Sequence, residues 1–152
     1  MLATDFLKTQ HREAMAMIEM LEKKDGAMLE GASLKLFGKL KSALVFHTTV
    51  EEQIFYHTLA NEPLTEELVD ESYAEHRTVD ELLVALSVPT EKWKHLLGRL
   101  KREIAHHVDE EENDLFPRAE QILGKRKLQD MGWQMEQIKK GKSANLGEPY
   151  RA

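Results

Sequence analysis

At 152 residues and a net charge of −6, the chain is the size of one domain and lacks the basic character that nucleic-acid binding needs. It has no cysteine, which excludes disulfides, thiol redox chemistry, Cys-ligated zinc and iron–sulfur ligation by its own thiolates. Sparse Gly and Pro and few aromatics argue against low-complexity and many-stranded β folds, and no apolar run approaches a membrane span.

The first residues, MLATDFLKTQHRE, have neither a basic n-region nor an apolar h-region, so the expected compartment is the cytoplasm. Breaks fall at Asp25-Gly26, Gly31, Asn61-Glu62-Pro63, Val88-Pro89, Gly124 and Gly141. Between them, apolar residues recur every three or four positions among strong helix formers, which predicts five helices over about 3–24, 33–60, 64–87, 90–122 and 126–140. Ser33, Thr65 and Thr90 sit where they could cap helix N-termini. Pro117, late in the fourth helix, predicts a kink or break there. Short connections favour antiparallel neighbours, hence an all-α, up-down-up-down four-helix bundle with a short additional C-terminal helix. The expected layout is the bundle over about 1–124, an amphipathic helix packed on it over about 125–141, and a loose tail over about 142–152.

The inward stripes are unusual. Helix 1 reads Leu7, His11, Ala14, Ile18, Leu21; helix 2 reads Leu36, Leu40, Leu44, His47, Glu51, Ile54. Helix 3 reads Val69, Ser72, His76, Val79, Leu83, Leu86; helix 4 reads Trp93, Leu97, Leu100, Ile104, His107, Glu111, Leu115. Steps of three and four put each set on one face. One His on each apolar stripe, with Glu51 and Glu111 also inward, requires compensation for buried charge, and a bound cation supplies it. A buried hydrogen-bonded network is the alternative for the same residues. His57, His95 and His106 read as surface or boundary positions. A slip of one residue in helix 4 would bring in His106 and Glu110 instead, against the Trp93-to-Ile104 stripe.

The chain also repeats itself. Gln10-His11-Arg12 parallels Glu75-His76-Arg77, and the run HTTVEEQIFY from His47 parallels HVDEEENDLF from His107. Two helical hairpins of one design, facing each other, would form a pseudo-symmetric site for two metals.

His11, His47, Glu51, His76, His107 and Glu111, with the acidic and aromatic runs after His47 and His107, resemble the hemerythrin-like HHE cation-binding domain over about residues 3–120. The resemblance implies a bundle around a non-haem di-iron centre, with the four histidines as terminal ligands, Glu51 and Glu111 bridging, and room for an oxo or hydroxo bridge. Zinc or manganese are alternative metals for such ligands. Oxygen-carrying members add a second His one turn away on the third helix, where this chain has Ser72 and Asp80. Their His-x4-Asp pair on the last helix would reach Glu112 here, while Glu111 keeps better face alignment. Related iron-centre repair proteins carry an N-terminal cysteine module that this sequence lacks.

The expected function is binding of, or reaction with, O2, NO or peroxide, without nucleic-acid or membrane partners. Whether that reaction is enzymatic is open at this level. A non-catalytic metal-binding or iron-sensing module and a metal-free helical adaptor are the alternatives. Glu75, Asp80 and Glu112 are candidates for orienting the histidines through their second ring nitrogen. Leu128, Met131, Met135 and Ile138 make the last helix amphipathic, to fold back on the bundle or to form a dimer contact.

Overall fold

The structure is a computed structural model that describes residues 1–24 and 30–144, with side chains described to residue 141. Helix α1 is Ala3–Glu22, α2 spans 31–59, α3 is Glu66–Leu86, α4 spans 93–123 and α5 spans 125–144. No strand occurs among the described residues. The predicted break at Asp25-Gly26 lies outside the described residues; of the tail expected over 142–152, residues 142–144 continue α5 and 145–152 lie outside the described residues.

The helices pack as the predicted bundle. Helix α1 lies against α2 and α4, and α3 lies chiefly against α4. Helix α5 turns back onto the start of α1, burying Leu128, Met131 and Met135 with Ala3 and Phe6. Gly132 permits this approach: a Cβ there would collide with the Met1 carbonyl oxygen. No helix among the described residues is long and apolar enough to cross a membrane.

Three local features differ from the sequence expectation. Ser33 lies inside α2, which already begins at Gly31. Pro117 does not break α4; the chain breaks at Gly124, whose φ of 77° is left-handed and free of Cβ strain only for glycine. The proline is accommodated because a wider π-helical turn, Glu111–Leu115, runs up to it, with the Phe116 N–H donating to the Glu111 carbonyl. An equivalent π turn, Glu51–Tyr56, interrupts α2. Each inserts a residue into the helical repeat and rotates the turns beyond it. Phe55 and Tyr56 therefore enter the core, whereas the α-helical stripe had selected Ile54, which is only partly buried.

The apolar core has two parts. One contains Leu7, Phe55, Tyr56, Val69, Leu115 and Phe116; the other contains Ala14, Ile18, Leu44, Val79, Leu97 and Ile104. Along every helix of the bundle the inward polar residues fall between the two: His11 between Leu7 and Ala14, His47 and Glu51 between Leu44 and Phe55, His76 between Val69 and Val79, His107 and Glu111 between Ile104 and Leu115. A polar layer thus lies between two hydrophobic clusters.

Candidate metal centre

All six inward residues are buried, and Glu51 and Glu111 have no exposed surface. They form two groups of converging ligand atoms: His11, His47, Glu51 and Glu111, and Glu51, His76 and His107, each within 4.8 Å of one another. Glu51 belongs to both. Its Oε1 lies 3.3 Å from His47 Nε2, 3.0 Å from His76 Nε2 and 3.6 Å from His107 Nε2. Glu111 Oε1 lies 3.1 Å from His11 Nε2 and 3.2 Å from His107 Nε2.

The outer ring nitrogens are tied down in a pattern that matches the internal repeat. His47 Nδ1 is 2.7 Å from Gln10 Oε1, and His107 Nδ1 is 2.7 Å from Glu75 Oε1. These partners come from within the same hairpin, each from the residue preceding its other histidine. His76 Nδ1 is 2.6 Å from Glu52 Oε2, and His11 Nδ1 is 2.8 Å from Glu112 Oε2. These two cross between hairpins, each from the residue after a buried glutamate. With each Nδ1–H donated outward, every Nε2 faces the interior, where a protonated ring donates to a buried glutamate and a neutral one could offer its lone pair to a cation.

Glu75 and Glu112 therefore stand where the sequence had placed orienting groups. Asp80 is exposed, and Glu52 occupies that role at His76. Sequence reasoning missed Gln10 and Glu52, although the repeat carried the signal: Gln10 aligns with Glu75, and Glu52 with Glu112.

Tyr56 was missed as well. Its hydroxyl donates toward Glu51 Oε1 at 2.7 Å and toward Glu111 Oε2, and lies 3.2 Å from His76 Nε2. One hydroxyl has one proton, so only one carboxylate can receive it fully at a time. The aligned position in the second hairpin is Phe116, which stacks on His11 with ring centroids 5.9 Å apart.

The electrostatics derive from this geometry. Burial pushes the His76 imidazole down, but hydrogen bonds to Glu51 and Glu52 outweigh it and raise it to about 9. Burial likewise opposes the charge on His107 and His11, yet the facing Glu111 carboxylate raises both, His107 well above its ordinary value. At His47 burial wins and the imidazole is held below its ordinary value. Burial pushes Glu51 and Glu111 up, and Glu51 also pushes Glu111 up; the surrounding histidines outweigh this and keep both low. Burial first, then the charges of Glu111 and Glu51, drive the Tyr56 hydroxyl well above its ordinary range.

The donor set fits a cation. His11 Nε2, His47 Nε2, Glu51 Oε2 and Glu111 Oε1 are buried and have no hydrogen-bond partner. Such atoms are rare in native interiors and call for a ligand. Buried carboxylates and imidazoles on facing helices form a recognised dinuclear metal site. Elsewhere, His57 and His95 are exposed, and His106 pairs with Glu110 at the surface with 61 % of its side chain exposed. The stripe from Trp93 to Ile104 thus sets the face of α4, and His107 points inward.

The family model of the hemerythrin HHE cation binding domain matches residues 2–122, which includes the whole polar layer. No curated protein and no solved structure matches the chain. Four helices in order, each delivering a histidine to one buried layer with a glutamate from the second and fourth, are what that match covers, and the chain belongs to the hemerythrin HHE cation-binding domain family.

Proposed function

We propose that the chain is a non-haem di-iron protein that binds or reacts with O2, NO or peroxide inside the bundle, in a cytoplasmic setting. The observation that carries this reading is the convergence of four buried ligand atoms that make no hydrogen bond, in a layer flanked by apolar side chains. Burying charge there without a compensating ion costs several kcal/mol, roughly, per group. His11 and His47 with Glu51 and Glu111 would hold one ion; His76 and His107, sharing Glu51, would hold the second. Iron suits this mixed imidazole and carboxylate set, with zinc and manganese as competitors. When bound, such a pair supplies electrons and open positions to a small oxidant.

The chain's own residues do the rest. Gln10, Glu52, Glu75 and Glu112 fix the ring orientations and keep each Nε2 directed inward. Leu7, Val69 and Leu115 close the layer on one side with apolar side chains, and Ala14, Val79 and Ile104 line it on the other. Tyr56 keeps a proton on its hydroxyl between the two carboxylates.

Anaerobic purification with metal analysis, and one spectrum before and after air, tests the reading. The expected result is about two irons per chain and a near-UV and visible band that appears with air. Less than about half an equivalent after anaerobic reconstitution with Fe(II) overturns it. The Tyr56 hydroxyl, already engaged with both carboxylates, favours a second reading in which the layer is a metal-free polar network. The same metal analysis separates the two.

A further inference from the structure

A cavity of about 290 Å3 adjoins the polar layer on the side of Ala14, Leu44, Val79 and Ile104. His11, His47, His76 and His107 close its inner end. Most of its wall surface is apolar, with Ala14, Ala43, Leu44, Val79 and Ile104 contributed by all four helices of the bundle, and Gln10, Ser42 and Thr48 add polar groups. Its exposed lining residues include Glu13, Lys39 and Lys139, so the cavity meets solvent at a charged rim.

The volume is the informative quantity. It equals the liquid volume of about ten water molecules, and an apolar cavity of about 150 Å3 is enough to hold benzene. A diatomic or a peroxide uses a small part of it. The space reaches from the charged rim down to the four buried histidines, so a guest could enter it from solvent. The small residues Ala14 and Ala43 keep it open where the neighbouring stripe positions carry Ile18 and Leu40. Along Ala14, Ala43, Leu44, Val79 and Ile104 water finds no side-chain partner, and an apolar body fits there; polar groups gather at the histidine end and the rim.

We propose that this cavity is a binding site for an uncharged organic molecule of aromatic or short-alkyl size, with its one polar head turned toward the histidines. This inference rests on the di-metal reading only for what the head would meet; the binding itself needs just the cavity. It makes the ligand of the centre a small organic compound, in addition to diatomics or peroxide.

The test is a titration of the zinc-reconstituted full chain with benzyl alcohol, followed through the NMR signals of alanine methyl groups, with glycerol as the polar control. Zinc content is measured on the same samples. Saturable shifts of Ala14 and Ala43 with benzyl alcohol, absent with glycerol, are expected. Ala43→Leu and Ala14→Leu should each weaken binding at least tenfold. Ala43 is only partly buried, so Ala43→Leu remains a readable variant if Ala14→Leu does not fold. Lack of saturable shifts, or equal affinity in folded Ala43→Leu, overturns the proposal. Binding of benzyl alcohol by protein that retains no zinc would leave this inference standing and remove the metal reading; zinc retention without binding would do the reverse.

Discussion

The two hairpins contribute to the site by one rule and differ at two positions. In the first, α1 and α2 bring His11, His47 and Glu51; in the second, α3 and α4 bring His76, His107 and Glu111. The residue before the first histidine of each pair binds the second: Gln10 to His47, Glu75 to His107. A neutral amide therefore stands where the other half has a carboxylate. The protonation behaviour differs mainly through the buried glutamates: His107 faces both Glu111 and Glu51 within 3.6 Å, whereas His47 faces Glu51 alone at that range. His47 is held low by burial, while at His107 Glu111 first, then Glu51 and Glu75, overcome burial. The other difference is Tyr56 against Phe116. One half places a hydroxyl between the carboxylates, and the other places an apolar ring against His11. A pseudo-symmetric fold thus builds a chemically unequal centre with two substitutions.

The severest test removes the residue that the halves share. Glu51 faces both groups, whereas the second group as a set of converging atoms does not require Glu111. Glu51→Ala should lose nearly all bound metal, and Glu111→Ala should lose less. Leaving the histidines without their counter-charge should also cost about 3–5 kcal/mol in the metal-free protein. Metal analysis and denaturant unfolding check this. Retention of metal equal to that of His57→Ala or His95→Ala would mean that the centre is not where the helices converge.

Metal removal comes next. Binding to the folded state alone contributes about 2.7 kcal/mol per site at a hundredfold excess over Kd. For a domain of this size, that places the holo melting point on the order of 10 °C or more above the apo one. The pH dependence has a defined sign. In the apo protein His76, raised to about 9, contributes stability that is fully present below its unfolded value and lost as pH rises through about 9. Its proton must also leave before the ring ligates metal. The melting gap should therefore widen between pH 7 and pH 9 and shrink toward pH 5. His47, held low, acts oppositely in the apo protein: its contribution is present above its unfolded value and lost as pH falls below it. Melts of apo and reconstituted samples at three pH values measure both.

Exchanging the aromatic pair probes the asymmetry directly. Tyr56→Phe removes a buried hydroxyl bonded to charged groups and should cost the metal-free protein about 1.5–3 kcal/mol. Phe116→Tyr would place a new hydroxyl beside His11 and cannot compensate at Glu51. Urea unfolding of the single and double variants reads this, and a restored double variant would mean that the halves are interchangeable. The mildest change is at the orienting residue. Gln10→Glu should raise the His47 imidazole and alter metal affinity by roughly tenfold, the usual scale for an outer partner. Glu75→Gln should lower His107. Histidine NMR titrations of the metal-free variants show both shifts, and an unmoved His47 would mean that its outer partner does not tune the ring.

Much of this protein could be read from its sequence, because helical periodicity is local. Steps of three and four identify the inward faces, and an inward His on four separate stripes marks the polar layer before any contact is known. The repeat also encoded the orienting pairs through Gln10 and Glu75, and through Glu52 and Glu112, although only their spatial crossing reveals which histidine each one serves. What the tertiary structure alone decided is the π turn beginning at each buried glutamate. An inserted residue leaves no mark in a stripe counted at fixed period, yet it swings Tyr56 inward in place of Ile54 and carries α4 past Pro117. The cavity is likewise a product of assembly. Ala14 and Ala43 are ordinary helix residues in sequence, and they leave space only because four helices hold their backbones apart around a layer of six polar side chains.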